Sequence, residues 1–271
     1  MRIGLWVFEL LLMGTTVLVS CSKFRTIQKS EDWRIKYDAG LNYYEKKDYY
    51  RTAILFEEIL PIVRGLPEGE KVEFYLAYCQ YYEEQYLLAS NQFRTFYETY
   101  GRSPQAQEAF FMYAYSLYIS APSANLDQSS TIEGMNAMQS FINQYPVSDF
   151  RERANEVIVN SQRKLEQKGF ENAKQYLRIR AYKAAVIAFE NFRKNFPDSP
   201  YLEEVAYLRV DAGYRLAHQS LPGLQLERYT LVISYYQELV DSYPESKFIK
   251  EAEKLYSDSL DKINKLKTNN S

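Results

Sequence analysis

One helical stripe, written five times along the chain, constrains its fold more than any other feature. Counting back from Phe196 by 4, 7, 11 and 14 residues gives Phe192, Phe189, Ala185 and Tyr182. The same count from Tyr243 gives Leu239, Tyr236, Val232 and Tyr229, and from Tyr100 it gives Phe96, Phe93, Ala89 and Tyr86. From Tyr145 it gives Phe141, Met138, Gly134 and Thr131, and from Val63 it gives Ile59, Phe56, Thr52 and Tyr49. Steps of three and four residues keep side chains on one helical face, so each copy predicts an amphipathic helix with a buried apolar or small stripe.

Each stripe except the first ends at a recurring joint. The copies read "TYGRSP" from Thr99, "QYPVSD" from Gln144, "NFPDSP" from Asn195 and "SYPESK" from Ser242. Proline cannot continue a helix and pushes the preceding residue toward extended angles. The serine two residues later can cap the helix that follows. The joint thus reads as helix stop, cap, helix start. The copy ending at Val63 lacks it.

Upstream of each stripe lies a partner helix, exemplified by Phe74, Ala77, Tyr78 and Tyr81, and by Phe170, Ala173, Tyr176 and Leu177. Small residues in these helices (Gly40, Ala77, Ala173, Gly213) fall opposite Thr52, Ala89, Ala185 and Val232, which lets paired helices approach closely. Stacked hairpins of this kind resemble tetratricopeptide repeats, and the expected fold is all-α, a right-handed solenoid of about five such hairpins. Successive stripe ends lie 37, 45, 51 and 47 residues apart, longer than the ~34-residue unit. The excess falls in "SAPSANLDQSSTIEG" and "HQSLPGLQLERY". Repeats are expected at roughly 33–64, 70–102, 104–147, 150–198 and 199–245, then a closing helix at 246–266 and a polar tail at 267–271.

Composition narrows the function classes. The formal net charge is −2, which supplies no basic field for nucleic acid. With one histidine, His218, and two cysteines, Cys21 and Cys79, no catalytic set, cofactor motif or metal cluster is expected. The pairs Glu57-Glu58, Glu83-Glu84 and Glu203-Glu204 are helical neighbours about 100° apart, so they read as solvated surface rather than an acid–base pair. Cys79, in "FYLAYCQYY", reads as a small core residue. An enzyme is not expected.

Arg2 and the apolar run that ends at Ser20 have the form of a secretory signal over residues 1–20. Leu18-Val19-Ser20-Cys21 resembles the lipobox of bacterial lipoproteins, which implies lipidation of Cys21, with residues 21–32 as a tether. Glu9 interrupts the apolar run. The first helices of the repeats expose Tyr37, Leu41 and Tyr44, then Tyr78, Tyr81 and Tyr82, as candidates for a partner-binding groove, tyrosine being a favoured contact residue. The competing reading is that these rings pack between repeats.

The lipobox cysteine, the joints at 145–148, 196–199 and 243–246, "AFFMYAYSLY" (109–118) and the segment 173–217 together resemble the BamD family of outer-membrane β-barrel assembly lipoproteins. The resemblance spans roughly 34–262. It implies a lipid-anchored protein of the outer membrane, facing the periplasm. It also implies C-terminal repeats that dock a BamA-like β-barrel subunit, N-terminal repeats that recognise unfolded outer-membrane proteins, and no nucleic-acid partner. Ser22 after Cys21 agrees with outer-membrane sorting in such lipoproteins. Another tetratricopeptide lipoprotein, acting as adaptor for cell-envelope or secretion machinery, is the alternative. The weak first repeat, and Gly134 with Met138 in the third, depart from the pattern.

Overall fold

The computed structural model describes residues 23–269, so Cys21 and the expected signal segment lie outside the described residues. Among the described residues the regular structure is helical throughout. A short helical stretch covers 23–28. Then follow α1 (Trp33–Glu45), α2 (Tyr49–Val63), α3 (Pro67–Tyr82), α4 (Tyr86–Thr99), α5 (Ala106–Ser120) and α6 (Ser129–Gln144). Beyond them come α7 (Arg151–Arg178), α8 (Tyr182–Asn195), α9 (Leu202–His218), α10 (Pro222–Ser242) and α11 (Ile249–Asn269). Two compact units divide the chain. Unit 1 runs to Pro122 and includes Asp127–Ser161; unit 2 comprises Ser123–Leu126 and everything from Gln162. The long helix α7 contributes to both. In unit 1, α1 to α6 each pack against the next; in unit 2, α8 to α11 do the same. Both units are tetratricopeptide-like stacks of helical hairpins.

The stripe is the core of both units. Phe56, Ile59, Val63, Phe93, Phe96, Met138, Phe141, Phe189, Val232 and Leu239 are fully enclosed. Of the stripe, Tyr49, Tyr86 and Tyr236 alone within their helices are only half-buried. Small residues face one another as their spacing predicts. Thr52 Oγ1 donates to the Gly40 carbonyl at 3.3 Å, and Ala77 and Ala89 share one core cluster while Ala173 and Ala185 share another. A Cβ on Gly40 would stand 2.3 Å from the Phe56 ring, and one on Gly134 would stand 3.2 Å from the Ala114 carbonyl oxygen. Small residues are therefore a steric requirement at these crossings.

All four joints have the same backbone. The amides of Tyr100, Tyr145, Phe196 and Tyr243 close the preceding helix on the carbonyls of Phe96, Phe141, Phe192 and Leu239 at 2.7–2.9 Å. The joint serine amide then bonds back to the aromatic carbonyl, as Ser199 does to Phe196 at 3.2 Å. The serine hydroxyls accept the amides of Gln105, Phe150, Tyr201 and Phe248, two residues on, at 3.1–3.3 Å. This refines the expected cap. The serine caps the turn that leads into the helix, while the helix N-cap positions Gln105 and Tyr201 make no side-chain cap bond.

Three turns inside hairpins are also alike. Lys47, Glu84 and Arg180 have φ of 59°, 60° and 62°. Their amides bond to Tyr44, Tyr81 and Leu177, and the next amides reach Tyr43, Gln80 and Tyr176 at 2.9 Å. That pair of bonds is the Schellman closure of a helix C-terminus. Non-glycine residues adopt it here at a left-handed cost of about 1–2 kcal/mol each.

Where the first repeat lacks the Pro-x-Ser joint, glycines replace it. Gly65 turns the chain at φ 89°, and Gly69 in the first turn of α3 lies so close to the end of α2 that a Cβ there would stand 2.3 Å from the Val63 carbonyl oxygen. In unit 2 a clamp of two arginines and two glutamates joins three helices. Arg209 of α9 meets Glu238 of α10 at 2.6 Å and Glu190 of α8 at 3.4 Å, and Arg193 of α8 meets Glu238 at 2.8 Å. Burial pushes the Glu238 carboxyl up, but the bonds from Arg193 and Arg209 outweigh it and hold the group below the usual carboxylate range.

Gly69→Ala is expected to lower stability by about 1–3 kcal/mol, because the clash is with backbone that cannot swing aside. Gly223→Ala, where a Cβ meets nothing within 4 Å, is the control. Thermal melts of both variants check this, with a loss of roughly 3–10 °C expected for the first alone.

Candidate partner-binding surface

The six residues singled out from sequence all belong to unit 1, on α1 and α3, and four of them, Tyr44, Tyr78, Tyr81 and Tyr82, belong to a run of contacting aromatic rings. Tyr37 lies against the Phe56 ring, centroids 6.3 Å apart, and meets the edge of Trp33 at 6.4 Å. Leu41 packs on the core of Phe56, Ile59, Val63, Val72 and Leu76. Tyr44 stacks on Tyr75 at 4.4 Å and meets Tyr49 edge-on at 5.6 Å. Tyr49 in turn stacks on Tyr82 at 4.3 Å. From Tyr82 the contacts continue to Tyr78 at 5.8 Å and Tyr81 at 5.5 Å, and from Tyr81 to Tyr86 and Tyr115. Tyr115 stacks on Phe111, and Phe111 on Phe150. The rings thus connect α1 to the residue just before α7, one contact at a time.

Geometry divides the six. Tyr37, Leu41, Tyr44, Tyr78 and Tyr81 are half-buried, and Tyr82 is 46 % exposed. The Tyr78 hydroxyl donates to the Glu108 carboxylate. Burial, reinforced by Glu108, raises the Tyr78 phenol far above its ordinary range, and burial beside Tyr82 and Cys79 does the same for Tyr44. These phenols stay protonated donors at any physiological pH. Cys79, fully enclosed, has its thiol pushed up to about 12 by burial and then by Glu83 and Glu57. It is a core residue as its sequence context predicts. Arg153 places its guanidinium 4.2 Å from the Tyr115 ring centre, a cation–π contact that sequence spacing gave no means to anticipate. His218 is an exposed residue at the end of α9.

Concavities also lie away from these six residues. In unit 1, Leu60, Leu76, Asn91, Gln92 and Thr95 enclose about 260 Å³ beside Arg64 and Glu73. Arg64 approaches Glu73 to 3.6 Å, and the Tyr100 hydroxyl donates to the same carboxylate at 3.3 Å. In unit 2, one face of α7 (Gln167, Lys168, Glu171, Asn172, Gln175, Arg178) and the loop Ser123–Asn125 enclose about 480 Å³. Lys168 donates to the Leu126 carbonyl and so holds that loop to the helix. The sequence analysis did not single out this face, because the loop that makes it concave comes from a distant part of the chain. Among the described residues no group of three or more His, Cys, Asp or Glu side chains is placed to hold a metal ion, and no helix is long and apolar enough to cross a membrane. Amides, phenols and paired charges on rigid helices are groups that bind polypeptide or a polar surface.

Replacing Tyr44 by alanine removes a ring packed against Tyr75 and Tyr49, and is expected to cost roughly 2–4 kcal/mol. Denaturant unfolding of Tyr44→Ala and Tyr82→Ala compares the two rings directly; the exposed Tyr82 is expected to cost less than half as much.

A family described as outer membrane lipoprotein, YfiO, matches residues 31–222. A protein of Aquifex aeolicus named a putative outer membrane protein assembly factor BamD is 29 % identical over 199 residues, which is 73 % of this chain and 65 % of that protein. The outer membrane protein assembly factor BamD of Rickettsia prowazekii is 25 % identical over 222 residues, 81 % of this chain and 83 % of that protein. The chain therefore spans somewhat less than two thirds of the Aquifex relative. Its repeats, joints and family match, taken together, place the chain in the YfiO/BamD family of outer-membrane lipoproteins.

Proposed function

We propose that this protein is a scaffold of the outer-membrane β-barrel assembly machinery, anchored through a lipidated Cys21 and facing the periplasm. The observation that carries the reading is the family match over residues 31–222, joined to relatives named as assembly factors. The role assigned to the fold is binding rather than catalysis. Repeats of unit 2 dock a BamA-like barrel subunit through its periplasmic part. Unit 1 takes unfolded outer-membrane protein segments along the Tyr37, Leu41, Tyr44, Tyr78, Tyr81 and Tyr82 face. A row of half-buried phenols offers both aromatic surface and hydroxyls at little entropic cost, which suits extended segments rich in aromatics. Of the six, Tyr82 presents the most free surface and is assigned the first contact.

Purification of the tagged chain from membranes in mild detergent tests the assembly role. A large β-barrel protein with periplasmic domains is expected to co-purify, and its absence overturns the role. For the anchor, Cys21→Ala is expected to leave the helical signal in circular dichroism unchanged and to move the protein from the membrane fraction to the soluble one after carbonate washing. Attachment that persists locates the anchor elsewhere.

A further inference from the structure

Unit 2 exposes large apolar side chains at one end of its hairpins. Tyr176 and Ile179, where α7 turns into α8, are 43 % and 60 % exposed, and Leu221 and Leu224, where α9 turns into α10, are 75 % and 41 % exposed. The sequence pattern assigns Tyr176 to the packed face of α7, yet only Leu177 beside it joins the core. The two turns are neighbours. Helix α9 packs on both α8 and α10, and Arg215 near the end of α9 bonds Tyr182, the first residue of α8.

Cations surround these tips. Arg178, Arg180 and Lys183 belong to the first turn, with no acid between 176 and 188, and Arg215 and Arg228 flank the second, where Glu227 is the single acid between 219 and 230. Arg178 and Arg215 are paired with Glu171 and Asp211 at 3.5 and 2.8 Å; Arg180 and Lys183 are exposed. The opposite end of the same hairpins, at the joints, mixes Asp198, Glu203, Glu204 and Glu245 with Arg193, Lys194, Lys247 and Lys250, and Glu204 is paired with Lys174 at 3.0 Å. The turn end is thus set apart by Arg180 and Lys183, exposed cations with no acid nearby in sequence, in a protein whose overall balance is −2.

The edge is convex. Leu221 projects ahead of Pro222-Gly223, and a Cβ on Gly223 would meet nothing within 4 Å. Protein partners are gripped by anchors set in fitted, desolvated pockets. Separate apolar tips set among cations instead match the interface of a bilayer, where apolar side chains enter the headgroup boundary and Lys and Arg meet anionic headgroups. We propose that the α7–α8 and α9–α10 turns of unit 2 form a membrane-contact edge whose ligand is an anionic phospholipid surface, separate from the lipid anchor. The contact rests on the reading of this protein as anchored at the outer membrane. It fixes which end of the unit 2 hairpins meets the bilayer, so that the anchored protein stands on the membrane in a defined orientation.

Full-length lipidated protein in vesicles of phosphatidylethanolamine and phosphatidylglycerol tests it. With Cys79 enclosed and Cys21 acylated, a fluorophore can be placed on Leu221→Cys, Ile179→Cys or, at the opposite end, Glu245→Cys, each checked for an unchanged thermal melt. Brominated lipids are expected to quench the label at 221 and 179 and to leave that at 245 unaffected. Adding Arg180→Glu and Lys183→Glu is expected to lower quenching at 221 at least about threefold, as does raised salt. Protein that floats with the vesicles but is unquenched at 221 and 179 overturns the contact and leaves the anchor standing. Protein that does not float overturns both. Equal quenching on phosphatidylcholine vesicles, unaffected by the charge reversals, overturns the anionic-surface assignment.

Discussion

Every hairpin depends on close approach at the crossing of its two helices. At Gly40, Gly134 and Gly213 the partner helix lies so near that a Cβ would crowd a ring or a backbone atom. The other crossings use Ala77 with Ala89 and Ala173 with Ala185, all buried. Helices brought this close can interlock the larger stripe residues on either side, and that interlocking supplies the dispersion and hydrophobic terms that stabilise a long chain of marginal units. A solenoid has no central core to fall back on, so each crossing must be made well.

Between hairpins the task passes to aromatic rings. In unit 1 they contact one another from Tyr75 and Tyr44 to Phe150, and their hydroxyls find partners in Glu108, Glu73 and Glu133. Tyrosine suits this position because it fills the gap between stacked helices and still satisfies a polar tip. On the proposed binding face, a ring that is half-used in packing keeps half its area for a partner, so the proposal has cohesion and recognition draw on the same residues. Unit 2 relies on the ionic clamp of Arg193, Arg209, Glu190 and Glu238 as well, and leaves its apolar tips for the turns.

The joints and turns set direction. Four joints of one backbone design and three turns of another give the helices repeated entry angles, and so aligned ends. Aligned ends make a feature at one turn recur at the next, which is how exposed apolar tips and cations gather at a common edge in unit 2.

The sequence by itself determined the helical stripe, the small-residue pairing and the Pro-x-Ser joints, because each is a local spacing rule that repetition made unmistakable. Cys79 was legible from its aromatic context, and Glu57-Glu58 and Glu83-Glu84 are exposed as their helical spacing predicts, whereas Glu203 and Glu204 are half-buried and bonded to Ser246 and Lys174. Left-handed turns at Lys47, Glu84 and Arg180 were not legible, since nothing short of the backbone reveals φ near 60° where no glycine marks it. Nor were the glycine joint at Gly65 and Gly69, the Tyr115–Arg153 contact or the clamp in unit 2, which unite residues from separate helices. For Tyr44 and Tyr82 a sequence pattern names one helix face each. Which ring is spent on its neighbour and which remains exposed is decided only when hairpins stack, because burial belongs to the assembled surface rather than to any single helix.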